Sequence, residues 1–322
     1  MAGNKDMDII LIDSPFVTVL TKNNTITSLD GYQHVKEKFT YMFDGIENLC
    51  MHDDELIGVP ATVSIEAWEA NQELLENLKL ELPDKSWSWY DFYEYAKLAR
   101  KDINADGIKD TYIIEGRKDS PPFLSQYNCT YIDLEKKKAS FNNEEFKNLL
   151  VLWKKMWDED LVADGGTFIT PKIKDNIVFC KCSLTLSMGD RAIIYPPALL
   201  GGQKSYPAQL KLLCITSFSE KKDLAAEFLS VFCSKEAQER TVITRALYKD
   251  FSIYRRDMLN PSSSEKNIEI FKNVLKYSIR ENSIPELRIY TLGIIGEYVS
   301  GMLPLEKAVT MIEDKANLIL GE

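Results

Sequence analysis

The sequence predicts an α/β protein built as two lobes, and three observations carry that expectation. The chain has 322 residues, more than one core of roughly 100–200 residues accommodates. Short apolar runs rich in β-branched residues alternate with stretches of helical period over most of the length, which implies parallel sheets with helices on both faces. Hydrophobic residues make up 45% of the chain and charged residues 27%, the balance of a folded protein rather than a disordered one.

The elements follow in order. Met7 to Ile12 reads as a buried strand that ends at Asp13-Ser14-Pro15. Glu55 to Ser64 reads as a second strand kinked at Gly58 and Pro60, and Ile65 to Leu80 as a helix. Ser88 and Asp91 form a capping-box pair before a helix from Trp89 to Lys101, whose inner stripe is Trp89, Phe92, Tyr93, Ala96 and Ala99. Asp110 to Glu115 is strand-like. Asn142 caps a long helix with Phe146, Leu149, Leu150, Trp153, Met156 and Trp157 on one face. Ser183 to Met188 and Gln209 to Thr216 are strands, Tyr195 to Pro207 a Pro- and Gly-rich loop, and Ser219 caps a helix through Phe232. The last third reads as helical throughout, closing with Pro304 to Leu320.

Charge and composition narrow the function. Lys and Arg number 39 against 49 Asp and Glu, for a net charge of −10, so the basic footprint of a nucleic-acid binder is missing. No run reaches the ~18 apolar residues of a membrane helix. The six cysteines (Cys50, Cys129, Cys180, Cys182, Cys214, Cys233) are too few for a disulfide scaffold. Cys214 and Cys233 sit in apolar runs as small hydrophobes. The C-x-C at Cys180 and Cys182 lacks further ligands nearby for zinc. His34 and His52 are the only histidines and are expected at the surface. Motifs for a nucleophile elbow, a phosphate loop, a zinc protease or a dinucleotide site are absent. Paired carboxylates of a glycosidase stay open, because spacing alone does not place them.

The sharpest local signal is Asp102-Ile-Asn104-Ala-Asp106-Gly107-Ile108-Lys-Asp110. Side-chain oxygens fall at the first, third, fifth and ninth loop positions, Gly107 at the sixth, and the Ile108 carbonyl at the seventh, as in a Ca²⁺-binding EF-hand loop. Ile113 stands where that loop carries its bidentate Glu. Two readings remain open: a Ca²⁺ site formed by Asp102, Asn104, Asp106, Ile108 and Asp110, and a turn closed by Asx-type hydrogen bonds. Trp68 and Trp87 sit beside polar residues, and Trp68 is a candidate stacking surface for a sugar ring.

Six segments in order, AGNKDMDIILID, ELIGVPATVSIEAWEANQELLEN, LPDKSWSWYDFYEYAKLARKD, FNNEEFKNLLVLWKKMWDEDLV, TSFSEKKDLAAEFLSVFCSKEAQE and GMLPLEKAVTMIEDKANLIL, resemble the extracellular solute-binding proteins of ABC importers. The resemblance is to the sugar-binding family that includes maltose-binding protein. It implies a type II two-lobed fold with a hinge, residues 1–63 plus about 213–270 forming one lobe and 64–212 plus about 271–322 the other. It also implies a monomer that binds a carbohydrate or similar polar solute between lobes and delivers it to a membrane permease. Outside the cell, a Gram-positive lipoprotein is the expected form. The DxNxDG loop occurs in many such members, which favours the Ca²⁺ reading.

By position in the family, Asp13, Ser14, Ser64, Gly189, Asp190 and Arg191 are the expected ligand contacts. Three departures stand out. Ser64 falls where maltose-binding relatives carry an acid, Cys182 falls at a family glycine, and the tryptophan usual after Gly189 is missing. Relative to the family the chain also lacks a leading β-α-β unit and a lipoprotein signal, so an unpaired edge is expected at the first strand. The rival functions are a carbohydrate-active hydrolase using paired carboxylates and a degenerate relative serving as an interaction module.

Overall fold

The computed structural model describes residues 7–134, 136–165, 175–184, 192–201, 205–240, 249, 265–281 and 284–321. It divides into two compact units: Met1–Glu66, Ser183–Asp190 and Tyr206–Asn282, and Ala67–Cys182, Arg191–Ser205 and Ser283–Glu322. The sequence boundaries near 213 and 270 differ from these because the chain between Tyr206 and Asn282 holds two strands that pair with each other.

The strands are β1 (Ile9–Asp13), β2 (Met51–His52), β3 (Glu55–Leu56), β4 (Val59–Ala70), β5 (Ile114–Gly116), β6 (Ile132–Asp133), β7 (Lys138–Ala139), β8 (Val162–Asp164), β9 (Phe179–Leu184), β10 (Ala192–Ile194), β11 (Tyr206–Ile215) and β12 (Ser278–Arg280). The helices are α1 (Val17–Lys22), α2 (Gln33–Phe39), α3 (Ile46–Leu49), α4 (Gln72–Leu78), α5 (Trp89–Ala99), α6 (Leu124–Tyr131), α7 (Glu144–Asp158), α8 (Lys222–Phe232), α9 (Lys235–Arg240), α10 (Glu265–Lys276), α11 (Pro285–Val299) and α12 (Leu305–Gly321).

In the first unit β11 is the shared strand. One of its edges takes β1, antiparallel, and then β12, parallel, while the other takes β4, antiparallel. The expected all-parallel sheet is therefore corrected to a mixed one. Ser278–Arg280 adds a strand inside the third of the chain read as wholly helical, because its backbone completes the ladder of β11 at Tyr206–Ala208. A register shift between Lys211 and Leu212 lets β4 follow β11 past Ala61.

The helix expected over Ile65 to Leu80 is confined to Gln72–Leu78. The residues before it continue β4, since Ile65 pairs with Ala208 and Trp68, Glu69 and Ala70 pair with β10. Ladder hydrogen bonds there override the helix propensity of Glu and Ala. Asn71 then caps α4 by accepting from Leu74 N at 3.1 Å.

In the second unit α5 begins at a full capping box between Ser88 and Asp91. α7, capped by Asn143 rather than Asn142, buries Phe146, Leu149, Leu150, Trp153 and Met156, spaced at helical period. α5, α11 and α12 pack against it. The core gathers around Trp68, which meets Trp89, Phe92 and Phe179 at ring-centroid distances of 5.7, 5.1 and 6.4 Å. Trp87 and Trp89 join this cluster with their indole N–H groups satisfied, at Tyr195 O (2.7 Å) and Gln126 Oε1 (3.1 Å). Trp68 is 0% exposed, and among the described residues its Nε1 has no partner.

Truncating Trp68 removes the centre of this cluster. Trp68→Ala should cost about 3–5 kcal/mol in urea denaturation. Trp68→Phe should cost clearly less, because it deletes the unpaired N–H along with part of the ring.

Candidate functional site

The alternation Gln209-Leu-Lys211-Leu along β11 sends leucines to one side and polar groups to the other. Leu210, Leu212 and Cys214 are buried, whereas Gln209 and Lys211 are exposed. The neighbouring strands repeat the pattern. Asp13 lies opposite Lys211 on one edge, and Thr62 and Ser64 lie opposite Lys211 and Gln209 on the other. Lys211 Nζ stands 3.7 Å from Asp13 Oδ1, both side chains about half exposed. Just past β12, Glu281 donates its N–H to Ala208 O at 2.9 Å and receives Gln209 Nε2 on its Oε2 at 3.0 Å.

Asp13, Thr62, Ser64, Gln209, Lys211 and Glu281 thus form one polar face on the sheet of the first unit. It presents two carboxylates, an ammonium, an amide and two hydroxyls. Such a set can donate to and accept from a neutral polyhydroxylated molecule without leaving a buried charge unmatched.

The structure sorts the expected site residues by what each touches. Asp13 and Ser64 belong to this face. Ser14 does not: it is 2% exposed, and its Oγ accepts the N–H of Leu210 at 3.0 Å. That bond bridges the stretch of β11 edge between the end of β1, opposite Lys211, and the end of β12, opposite Ala208. Trp68, expected as a stacking surface, is core, as described above. Gly189, Asp190 and Arg191 lie outside the described residues. Thr62, Gln209, Lys211 and Glu281 went unforeseen, although the period-two alternation at Gln209 and Lys211 marks them as the open side of a strand.

The Asp102–Asp110 loop is closed by its own backbone. Asp102 accepts from Ala105 N and Gly107 N, both at 2.7 Å, Asn104 from Asp106 N at 2.9 Å, Asp106 from Ile108 N at 2.8 Å and Asp110 from Ile103 N at 3.1 Å. Gly107 turns at φ +91°, a conformation that favours glycine. At the neck Thr111 Oγ1 accepts from Lys101 N at 2.7 Å, and buried Arg100 holds Thr111 O and Asp160. Among the described residues no three His, Cys, Asp or Glu side chains converge to hold a metal. No described helix is long and apolar enough to cross a membrane.

No family model and no curated protein sequence matches the chain. Solved structures do. An ABC substrate-binding protein of Listeria monocytogenes, in complex with cycloalternan, aligns at 14% identity over 99% of this chain and 86% of its own, with a TM-score of 0.72. A cyclic α-maltosyl-1,6-maltose binding protein of Arthrobacter globiformis aligns at 16% identity over 97% and 84%, also at 0.72. The sugar-binding protein MalE of Xanthomonas citri aligns at 16% over 98% and 84%, again at 0.72. The chain has their fold. The two-lobed α/β architecture expected from the six segments is thereby established, at identities that carry no residue-level correspondence.

If the polar face is kept for binding rather than stability, its residues are separable from Ser14. Lys211→Ala and Asp13→Asn should each change the unfolding free energy by less than about 1 kcal/mol, as for other exposed pairs. Ser14→Ala, which leaves the Leu210 N–H buried and unmatched, should cost about 1–3 kcal/mol. Chemical denaturation of the three variants distinguishes them.

Proposed function

We propose that this chain is the solute-binding component of an ABC importer, works outside the cell with a membrane permease, and binds an oligosaccharide or a similar polar solute without transforming it. The observation that carries the reading is the mixed polar face at Asp13, Thr62, Ser64, Gln209, Lys211 and Glu281, set in a fold shared with proteins described as sugar-binding. A sugar hydroxyl is both donor and acceptor. Carboxylates at Asp13 and Glu281 accept, the Lys211 ammonium donates, and Gln209 keeps its Oε1 and its second amide hydrogen for the solute while bonded to Glu281. Hydrogen bonds to charged partners contribute about 1.5–3 kcal/mol each, so a few of them set a useful affinity with no bond made or broken.

Isothermal titration with maltose, acarbose and cyclic α-glucans tests this. At least one should bind, and the double variant Gln209→Ala/Lys211→Ala should weaken binding by about tenfold or more, equivalent to ~1.4 kcal/mol. Heat with release of new reducing ends would support the hydrolase instead. No binding together with self-association would support an interaction module.

Calcium at the Asp102–Asp110 loop is a separate proposal, supported by the oxygen spacing and by Gly107 at the sharp turn. Melting curves in millimolar calcium and in chelator decide it. A rise of several degrees with calcium, lost in Asp102→Ala, is the outcome the proposal requires. Superimposable curves would leave the loop as a self-closed turn.

A further inference from the structure

Arg280 and Glu281 are adjacent in sequence and face opposite sides of the first unit's sheet. Glu281 reaches Gln209 on the polar face. Arg280 turns inward and is 8% exposed. Its Nη1 donates to Met51 O at 2.7 Å and Leu49 O at 3.3 Å, and its Nη2 lies 3.3 Å from His52 Nδ1. A guanidinium has no acceptor atom. The contact with Nδ1 is therefore a hydrogen bond only while His52 is neutral, with its proton on Nε2.

The position of His52 is set by the β2–β3 hairpin. Its two turn residues, Asp53 and Asp54, both have positive φ, 50° and 61°, as a tight two-residue hairpin requires. The imidazole is buried at 8% exposure, which corrects its expected place at the surface.

We propose that His52 is a proton sensor for the polar face: protonation of its imidazole breaks the contact with Arg280, loosens β12 from β11 and withdraws Glu281 from Gln209. A protonated Nδ1 would point its hydrogen at the guanidinium and place two cations against each other at low solvent access. Arg280 is the last residue of β12. Its backbone pairs with Ala208, and the next residue's N–H holds Ala208 O at 2.9 Å. Displacing its side chain acts directly on the bond that sets Glu281.

The charged and titratable groups around the imidazole and its partner are Asp53 on the hairpin, Lys22 at the end of α1, Arg280 on β12, and the buried thiols Cys50 and Cys214 beside Arg280. Asp53 Oδ2 is 3.6 Å from His52 Nε2 and exposed, so solvent screens its opposition. Burial first, and then Arg280 and Lys22, hold the imidazole below its ordinary value of 6.5, against Asp53. With the folded value below the unfolded one, the contribution to stability is complete above pH 6.5 and is lost as pH falls through the folded value.

The consequence for binding rests on the carbohydrate reading, but the coupling is measured without any ligand. Hydrogen exchange, corrected for intrinsic rates, is followed on the free protein at about pH 7.5 and pH 5.5. In the wild type, protection over Ser278–Glu281 should fall by about threefold or more at the lower pH. In His52→Gln, whose amide stays neutral and can accept from Arg280, it should not. Equal pH dependence in the two proteins overturns the proposal. Should the variant fail to fold, wild-type NMR decides. The Gln209 side-chain amide must shift with the same midpoint as the His52 ring, and a Gln209 amide that stays still through that titration overturns the proposal.

Discussion

Strand β11 is the constraint on which the first unit depends. Its backbone serves three other strands, and the Ser14 hydroxyl covers the edge between two of them. A strand with both edges occupied leaves only its two faces free to differ, and they do. Leucine and cysteine fill one, while glutamine and lysine open the other. The same ladder fixes which residues of β1, β4 and β12 stand beside Gln209 and Lys211. The polar face is thus a product of register, and a slip of one residue in β11 would bury Lys211 and expose Leu210.

The second unit supports a different conclusion about aromatic residues. Four of the five tryptophans, Trp68, Trp87, Trp89 and Trp153, are almost wholly buried. Their number suggests sugar stacking, but their packing assigns them to the core. The indole N–H groups of Trp87, Trp89 and Trp153 reach acceptors in the protein. In the first unit, the described face offers hydrogen-bonding groups instead, carried by polar and charged side chains on β1, β4 and β11 and just past β12.

Much of the fold was legible. Ser88 with Asp91, the stripe of α7, and the strand from Gln209 are local signals with one physical meaning each, and they hold. The misreadings have a common cause. Ile65 to Ala70 favours a helix by composition but is held as a strand by partners more than a hundred residues away. Ser278–Arg280 is too short to be recognised except through the edge it completes. His52 looks solvated in sequence because its neighbours Asp53 and Asp54 are turn residues, yet that turn tucks the imidazole against Arg280. For the site, position in the family pointed to Asp13 and Ser64, whereas Gln209, Lys211 and Glu281 become neighbours only through strand pairing.

The central claim is that the polar side of β11 holds the solute. Amide chemical-shift mapping of the labelled protein against a soluble α-glucan oligosaccharide tests it most directly. The account predicts saturable shifts centred on Asp13, Thr62, Ser64, Gln209, Lys211 and Glu281. Saturable binding that leaves those six residues unshifted would contradict it.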